Sequence, residues 1–157
     1  MSKVKQNQKK ILNRRAKYDY EIHSQIETGV ILKGNEVKSI RLGKVVLDNA
    51  YAVLRKGEIW MMNLFIDLKN YNKKINSIDN LRPKKLLLSK QEISKISQNL
   101  KTNNLTMIPL NMHFNKKGFI KIDLGISKGR KKVDKREYKK DQDWKRQKER
   151  LLKKWLL

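Results

Sequence analysis

Two stretches of alternating apolar and polar residues, 106–114 and 119–126, flank Asn115-Lys116-Lys117-Gly118 and leave this chain few folds to adopt. Residues two apart share a strand face, so Ile108, Leu110, Met112 and Phe114 form one apolar face. Ile120, Ile122, Leu124 and Ile126 form its mirror. The pair predicts a β-hairpin, and Pro109, which cannot donate to a ladder, predicts an edge or a bulge. Residues 50–55 and 58–66, joined at Lys56-Gly57, predict a second hairpin. Its second arm is apolar on both faces, as a central strand would be, with Trp60 expected in the core. Another half-buried strand is expected over 18–26, where Tyr18, Tyr20, Ile22 and Ile26 share a face, only Ser24 breaks the alternation and His23 falls on the polar side.

The stretch 27–44 reads as strand, turn, short helix and stop. Val30 to Leu32 is a β-branched apolar run entered through Gly29, Gly34-Asn35 supplies turn and cap, and Gly43 stands where a left-handed C-terminal residue would. Val37 and Ile40 anchor one helix face while Lys38 and Arg41 offer cations on the next. Glu27 and Glu36 bracket the turn, where carboxylates suit base amino groups or 2'-hydroxyls. Glu36 alternatively complements the helix dipole. Residues 67–81, rich in Asn and Lys, read as a long loop. The basic corner 82–88 precedes Ser89-x-x-Glu92, a capping box that predicts a helix from Lys90 with Ile93, Ile96 and Leu100 as its apolar stripe. Together these elements make a mainly β fold with α: a small closed antiparallel β-barrel, similar to the oligonucleotide-binding fold, with flanking helices. Residues 1–12 read as a flexible basic arm, 13–127 as the barrel and 128–157 as a basic tail.

Charge decides the partner class. Thirty-nine Lys and Arg against fifteen Asp and Glu give +24, which points to a polyanion. No apolar run approaches a membrane span, so nucleic acid is favoured over a membrane. The absence of cysteine rules out thiolate metal sites, and with His23 and His113 as the only histidines no metal or cofactor is expected. The acidic residues are scattered, which argues against an enzyme. The start of the chain lacks a signal peptide's apolar core, so a cytoplasmic location is expected. The tail carries fourteen basic residues against five acidic, too few apolar side chains to fold alone. Trp144, Leu151 and Trp155 fall at i, i+7 and i+11, so residues 141–157 are expected to become helical on binding.

Asn13-Arg14-x-Ala16, Gly34-x-Glu36-Val37-Lys38-Ser39-x-Arg41-x-Gly43-Lys44, Arg82-x-x-Lys85-Leu86-Leu87-Leu88 and Gly129-x-Lys131-x-x-Asp134-Lys135-Arg136 occur in this order. In order and spacing the chain resembles the small protein B, or SsrA-binding protein, family. That resemblance implies a monomeric barrel that binds the tRNA-like domain of transfer-messenger RNA and delivers it, with elongation factor Tu, to stalled ribosomes for trans-translation. Asn13, Arg14, Glu27, Glu36, Lys38, Arg41, Lys85 and Leu87 resemble its RNA-contacting positions. Gly129, Lys131, Lys132, Asp134, Lys135, Arg136 and Trp144 match a tail that enters the vacant decoding site and messenger channel of the small ribosomal subunit RNA. Val133 stands where that family usually carries a His or Tyr ring. A structural or assembly protein of the ribosome is the competing reading; it would be present once on every ribosome, whereas a rescue factor would be found mainly on stalled ones.

Overall fold

The computed structural model describes residues 10–68 and 79–156. Among them, nine strands, four α-helices and one 3-10 turn follow in the order β1 (Ile11–Leu12), α1 (Ala16–Asp19), β2 (Tyr20–Val30), α2 (Gly34–Arg41), β3 (Val45–Val46), β4 (Tyr51–Arg55), β5 (Glu58–Met62), β6 (Phe65–Ile66), the turn Asp79–Leu81, β7 (Lys84–Leu87), α3 (Lys90–Asn103), β8 (Thr106–Phe114), β9 (Ile120–Gly129) and α4 (Lys132–Trp155). Seven strands form one antiparallel sheet in the order β1-β8-β4-β5-β7-β2-β9, with a further pairing of β8 with β9. Both expected hairpins are present, as β4–β5 and β8–β9, but the arm expected over 58–66 stops at Met62, where Asn63 takes a left-handed φ of 53°, and Phe65–Ile66 pairs with β3 in a separate two-stranded sheet.

Four differences from the sequence reading have local causes. Tyr18 belongs to α1, and β2 runs unbroken through Gly29 to Val30. Its register shifts between Ile22 and Ser24, so His23 is the extra residue and Ser24 marks a bulge. A second shift between Pro109 and Asn111 splits the face expected for β8. Met107 and Met112 enter the core cluster on either side of it, while Ile108 pairs with Gly125 on the other face. Trp60 does not take the core position expected for it: Ile59 and Met61 fill the interior, fully buried, and their alternation turns Trp60 outward, half-buried. The arm expected over 1–12 contributes Ile11 and Leu12 to β1, opposite Met112 and Asn111, and residues 1–9 lie outside the described residues.

The end of α2 and the start of α3 follow the sequence signals, whereas Gly34 and Asn35 lie inside α2 and Lys33 is its N-cap. Gly43 adopts φ 73° after α2, the left-handed position that favours glycine. In α3 the Ser89 hydroxyl accepts from the Glu92 N–H and the Glu92 carboxylate accepts from the Ser89 N–H at 2.7 Å, the predicted capping box. Those hydrogen bonds, backbone first, lower the Glu92 pKa. Most of the long loop expected over 67–81 lies outside the described residues, and its end forms the 3-10 turn.

Candidate nucleic-acid interface

Strand pairing puts Glu27 opposite Asp123, Gly29 opposite both Lys121 and Leu87, and His113 opposite Lys121. Directly paired residues point to the same side of a sheet. Between them Thr28, Ile122 and Leu86 face inward and are buried, so Glu27, Lys121, His113 and Leu87 share the outer face. Leu87 is 53% exposed and Phe119 64% exposed; with Gly29, Val37, Arg41 and Lys121 they line a groove of about 380 Å³. Gly29 keeps this groove open, since a Cβ there would lie 3.2 Å from Leu87 Cδ1. Arg41 also lines the adjoining groove with Lys10 and Arg14. The result is one strip of outer surface with apolar Leu87 and Phe119 amid Lys10, Arg14, Arg41 and Lys121, and with the Glu27 carboxylate near one end.

Two residues expected on this surface lie beneath it. Glu36 is 1% exposed. Its carboxylate accepts from Arg82 Nε and a terminal guanidinium nitrogen at 3.1 and 2.7 Å, and from the Lys33 N–H at 2.7 Å. It therefore caps α2 and ties that helix to the Arg82 corner instead of meeting RNA directly. Asn13 is 8% exposed. Its amide nitrogen donates to the Pro109 carbonyl and more weakly to Leu47, while its oxygen accepts from the N–H groups of Arg15 and Ala16. Asn13 thus fixes α1 against β8 and presents Arg14 to solvent.

Lys38 and Arg41 are exposed on α2. Lys85 is half-buried on β7 and ion-paired with Glu58. Its neighbour Lys84 is wholly buried, donating to the carbonyls of Arg82 and Leu64 at 2.7 and 3.1 Å. Burial pushes the Lys84 pKa down to about 8, against the opposing pull of the Glu36 carboxylate 4.0 Å away.

The tail residues fall on either side of a structural boundary. Gly129 pairs with Tyr20 at the end of β9, so the body extends two residues beyond Ser127. Lys131 precedes α4, and the Asp134 carboxylate accepts its N–H at 3.3 Å. The helix begins nine residues earlier than the Asp141 start expected from Trp144, Leu151 and Trp155. It buries no side chain. Its first turns rest on α1: Lys135 is 3.0 Å from the Asp19 carboxylate and 5.9 Å from the Tyr18 ring centroid. Lys132, Val133, Arg136 and Trp144 are exposed.

Sequence reasoning missed Phe119, Lys121 and His113 because their meeting with Glu27 and Leu87 depends on the register of three strand pairings, β2–β7, β2–β9 and β8–β9. The only readable signal was Phe119 itself, a large apolar residue directly after a turn. Glu27, His113 and Asp123 also bring three possible metal-ligand atoms within 4.8 Å of one another. His113 Nε2 is 3.2 Å from the Glu27 carboxylate, and Asp123 accepts from Asn111, so each of the three already has a protein partner.

A family profile described as SmpB protein matches residues 10–154. The chain belongs to the SmpB family. Curated relatives named SsrA-binding protein include those of Chlorobaculum tepidum, 43% identical over 148 residues and covering 92% of each chain, and of Jannaschia sp. strain CCS1, 43% identical over 141 residues and covering 90% of this chain and 89% of the relative. A solved structure described as "tmRNA-SmpB: a journey to the center of the bacterial ribosome" superposes with a TM-score of 0.64 at 39% identity, covering 78% of this chain and 85% of the other. The SmpB family is a family of RNA-binding proteins.

Proposed function

We propose that this chain binds the tRNA-like domain of transfer-messenger RNA through the outer surface around Glu27, Leu87 and Arg41, and delivers it to stalled ribosomes for trans-translation. The observation that carries this reading is the Leu87–Phe119 groove bordered by Arg41 and Lys121, together with relatives named SsrA-binding protein at 43% identity. Apolar side chains suit the unstacked bases that an RNA elbow exposes, the cations suit its phosphates, and Glu27 suits an exocyclic amino group or a 2'-hydroxyl. Asn13 and Glu36 support this surface from below.

The sheet acts as a closed barrel similar to the oligonucleotide-binding fold, a reading supported by the pairing of β8 with both β4 and β9. The tail, from Arg130 onward, reads the vacant decoding site and messenger channel. Its helix is held to the body only through its first turns, since no side chain of α4 is buried, and the rest of it is fixed against ribosomal phosphate. Val133 contributes no stacking ring there. The protein acts as a monomer in the cytoplasm, together with elongation factor Tu and without catalysis of its own. No described helix is long and apolar enough to cross a membrane.

Retention of RNA on the immobilised chain at near-physiological salt, followed by sequencing, tests the first step. Enrichment of transfer-messenger RNA over tRNA and ribosomal RNA is expected; equal recovery of all three contradicts it.

A further inference from the structure

The outer face of β4 and β5 carries a second recess, of about 570 Å³, lined by Arg55, Lys56, Glu58, Trp60 and Pro83. Its shape follows from the turn. Lys56 and Gly57 take φ 48° and 74°, which folds β4 back so that Arg55 faces Glu58 and Val53 faces Trp60. Trp60 in turn faces Lys85 of β7. The Glu58 carboxylate is paired with Lys85, whereas among the described residues neither Arg55 nor Lys56 has an ion pair. A half-buried indole that faces outward thus lies beside two cations without ion pairs.

We propose that this recess takes an unpaired base of single-stranded RNA, stacked on Trp60, with Arg55 and Lys56 on the flanking phosphates. A nucleotide combines a flat polarisable face with an anion on either side of it. An acidic peptide or a lipid headgroup would engage the cations and leave the indole unused. Base-aromatic stacking with cation support is a standard means of holding single strands without sequence preference. The inference rests on the RNA-binding reading and extends it: Lys85 and Leu87 point to the same side of β7, so a strand leaving the Leu87 groove can run on to Trp60.

The test uses the full chain with Trp144→Phe and Trp155→Phe, which leaves Trp60 as its sole indole, since the sequence holds three tryptophans. Titration with a uridine heptamer should quench Trp60 emission saturably, and a duplex of the same length should leave it unchanged. In the otherwise unaltered chain, Trp60→Leu should weaken heptamer binding about tenfold and Trp60→Phe should recover most of it. Arg55→Ala at the end of β4 with Lys56→Ala in the turn, both exposed, should lower the log-log salt slope of heptamer binding by about 2. Heptamer binding with unchanged Trp60 emission, equal quenching by a glutamate heptapeptide, or no heptamer binding would each overturn the proposal. A chain that selects the tRNA-like RNA through Glu27 and Leu87 but shows no quenching refutes the recess alone. One that quenches normally but binds that RNA no better than any single strand refutes the first reading alone.

Discussion

Glu36 shows how a surface motif residue can act from the interior. Its carboxylate meets the Arg82 guanidinium, the Lys33 N–H and, at 4.0 Å, the Lys84 ammonium. Removing one partner of a buried charge cluster leaves the others desolvated and unpaired. Glu36→Ala should therefore destabilise the fold by about 3 kcal/mol in urea denaturation. A loss of RNA affinity without loss of stability would return Glu36 to the contact surface. Asn13→Ala, which strips several buried hydrogen bonds from α1, should cost about 2 kcal/mol in the same experiment. Lys84 gives a pH signature. Its folded pKa lies below the unfolded one, so between about 8 and 10.5 the unfolded chain holds the extra proton. Stability should rise with pH across that window. Lys84→Met should abolish this rise in a series of denaturation midpoints, and an identical pH profile in the variant would contradict the account.

Secondary elements are legible where the signal is local. The Ser89-x-x-Glu92 box, the Lys56-Gly57 turn and the alternation of β9 each predict an element that the fold contains. The signal fails where a partner distant in sequence decides. Asn13 and Glu36 sit in motifs that look exposed, yet Pro109 and Arg82, 96 and 46 residues away, draw them inside. The bulge beside Leu110 reassigns Ile108, and nothing in the β8 alternation fixes its position. Trp60 looks like core because both faces of β5 are apolar, and only the pairing with Lys85 identifies its side as the outer one. For α4, the exposed stripe of Trp144, Leu151 and Trp155 is readable, but the docking of Lys135 on Asp19 is not. A helix that buries no side chain is marginal in water, so a peptide of residues 131–157 should show little helical circular dichroism alone. Leu151→Pro should leave binding to the isolated tRNA-like RNA unchanged and impair peptide tagging, since proline in a helix interior costs about 3 kcal/mol. Tagging at the wild-type level would mean that the tail works extended, by charge alone.

At the scale of the whole molecule, a charge of +24 favours association with nucleic acid of any sequence, so specificity has to come from the uncharged and acidic members of the surface. Truncation after Arg130, which spares all of β9, removes twelve of the thirty-nine cations. It should lower the salt slope of nonspecific binding, keep most of the affinity for the tRNA-like RNA at near-physiological salt, and abolish rescue of ribosomes with an empty decoding site. In the proposed complex Glu27 and Leu87 recognise RNA features other than phosphate, which a salt series of tRNA-like RNA binding to the full chain and to its Glu27→Ala, Leu87→Ala double variant tests. Affinity should fall about tenfold or more at every salt concentration while the log-log slope is unchanged. Unchanged affinity, or a loss that appears only as a change of slope, would contradict it.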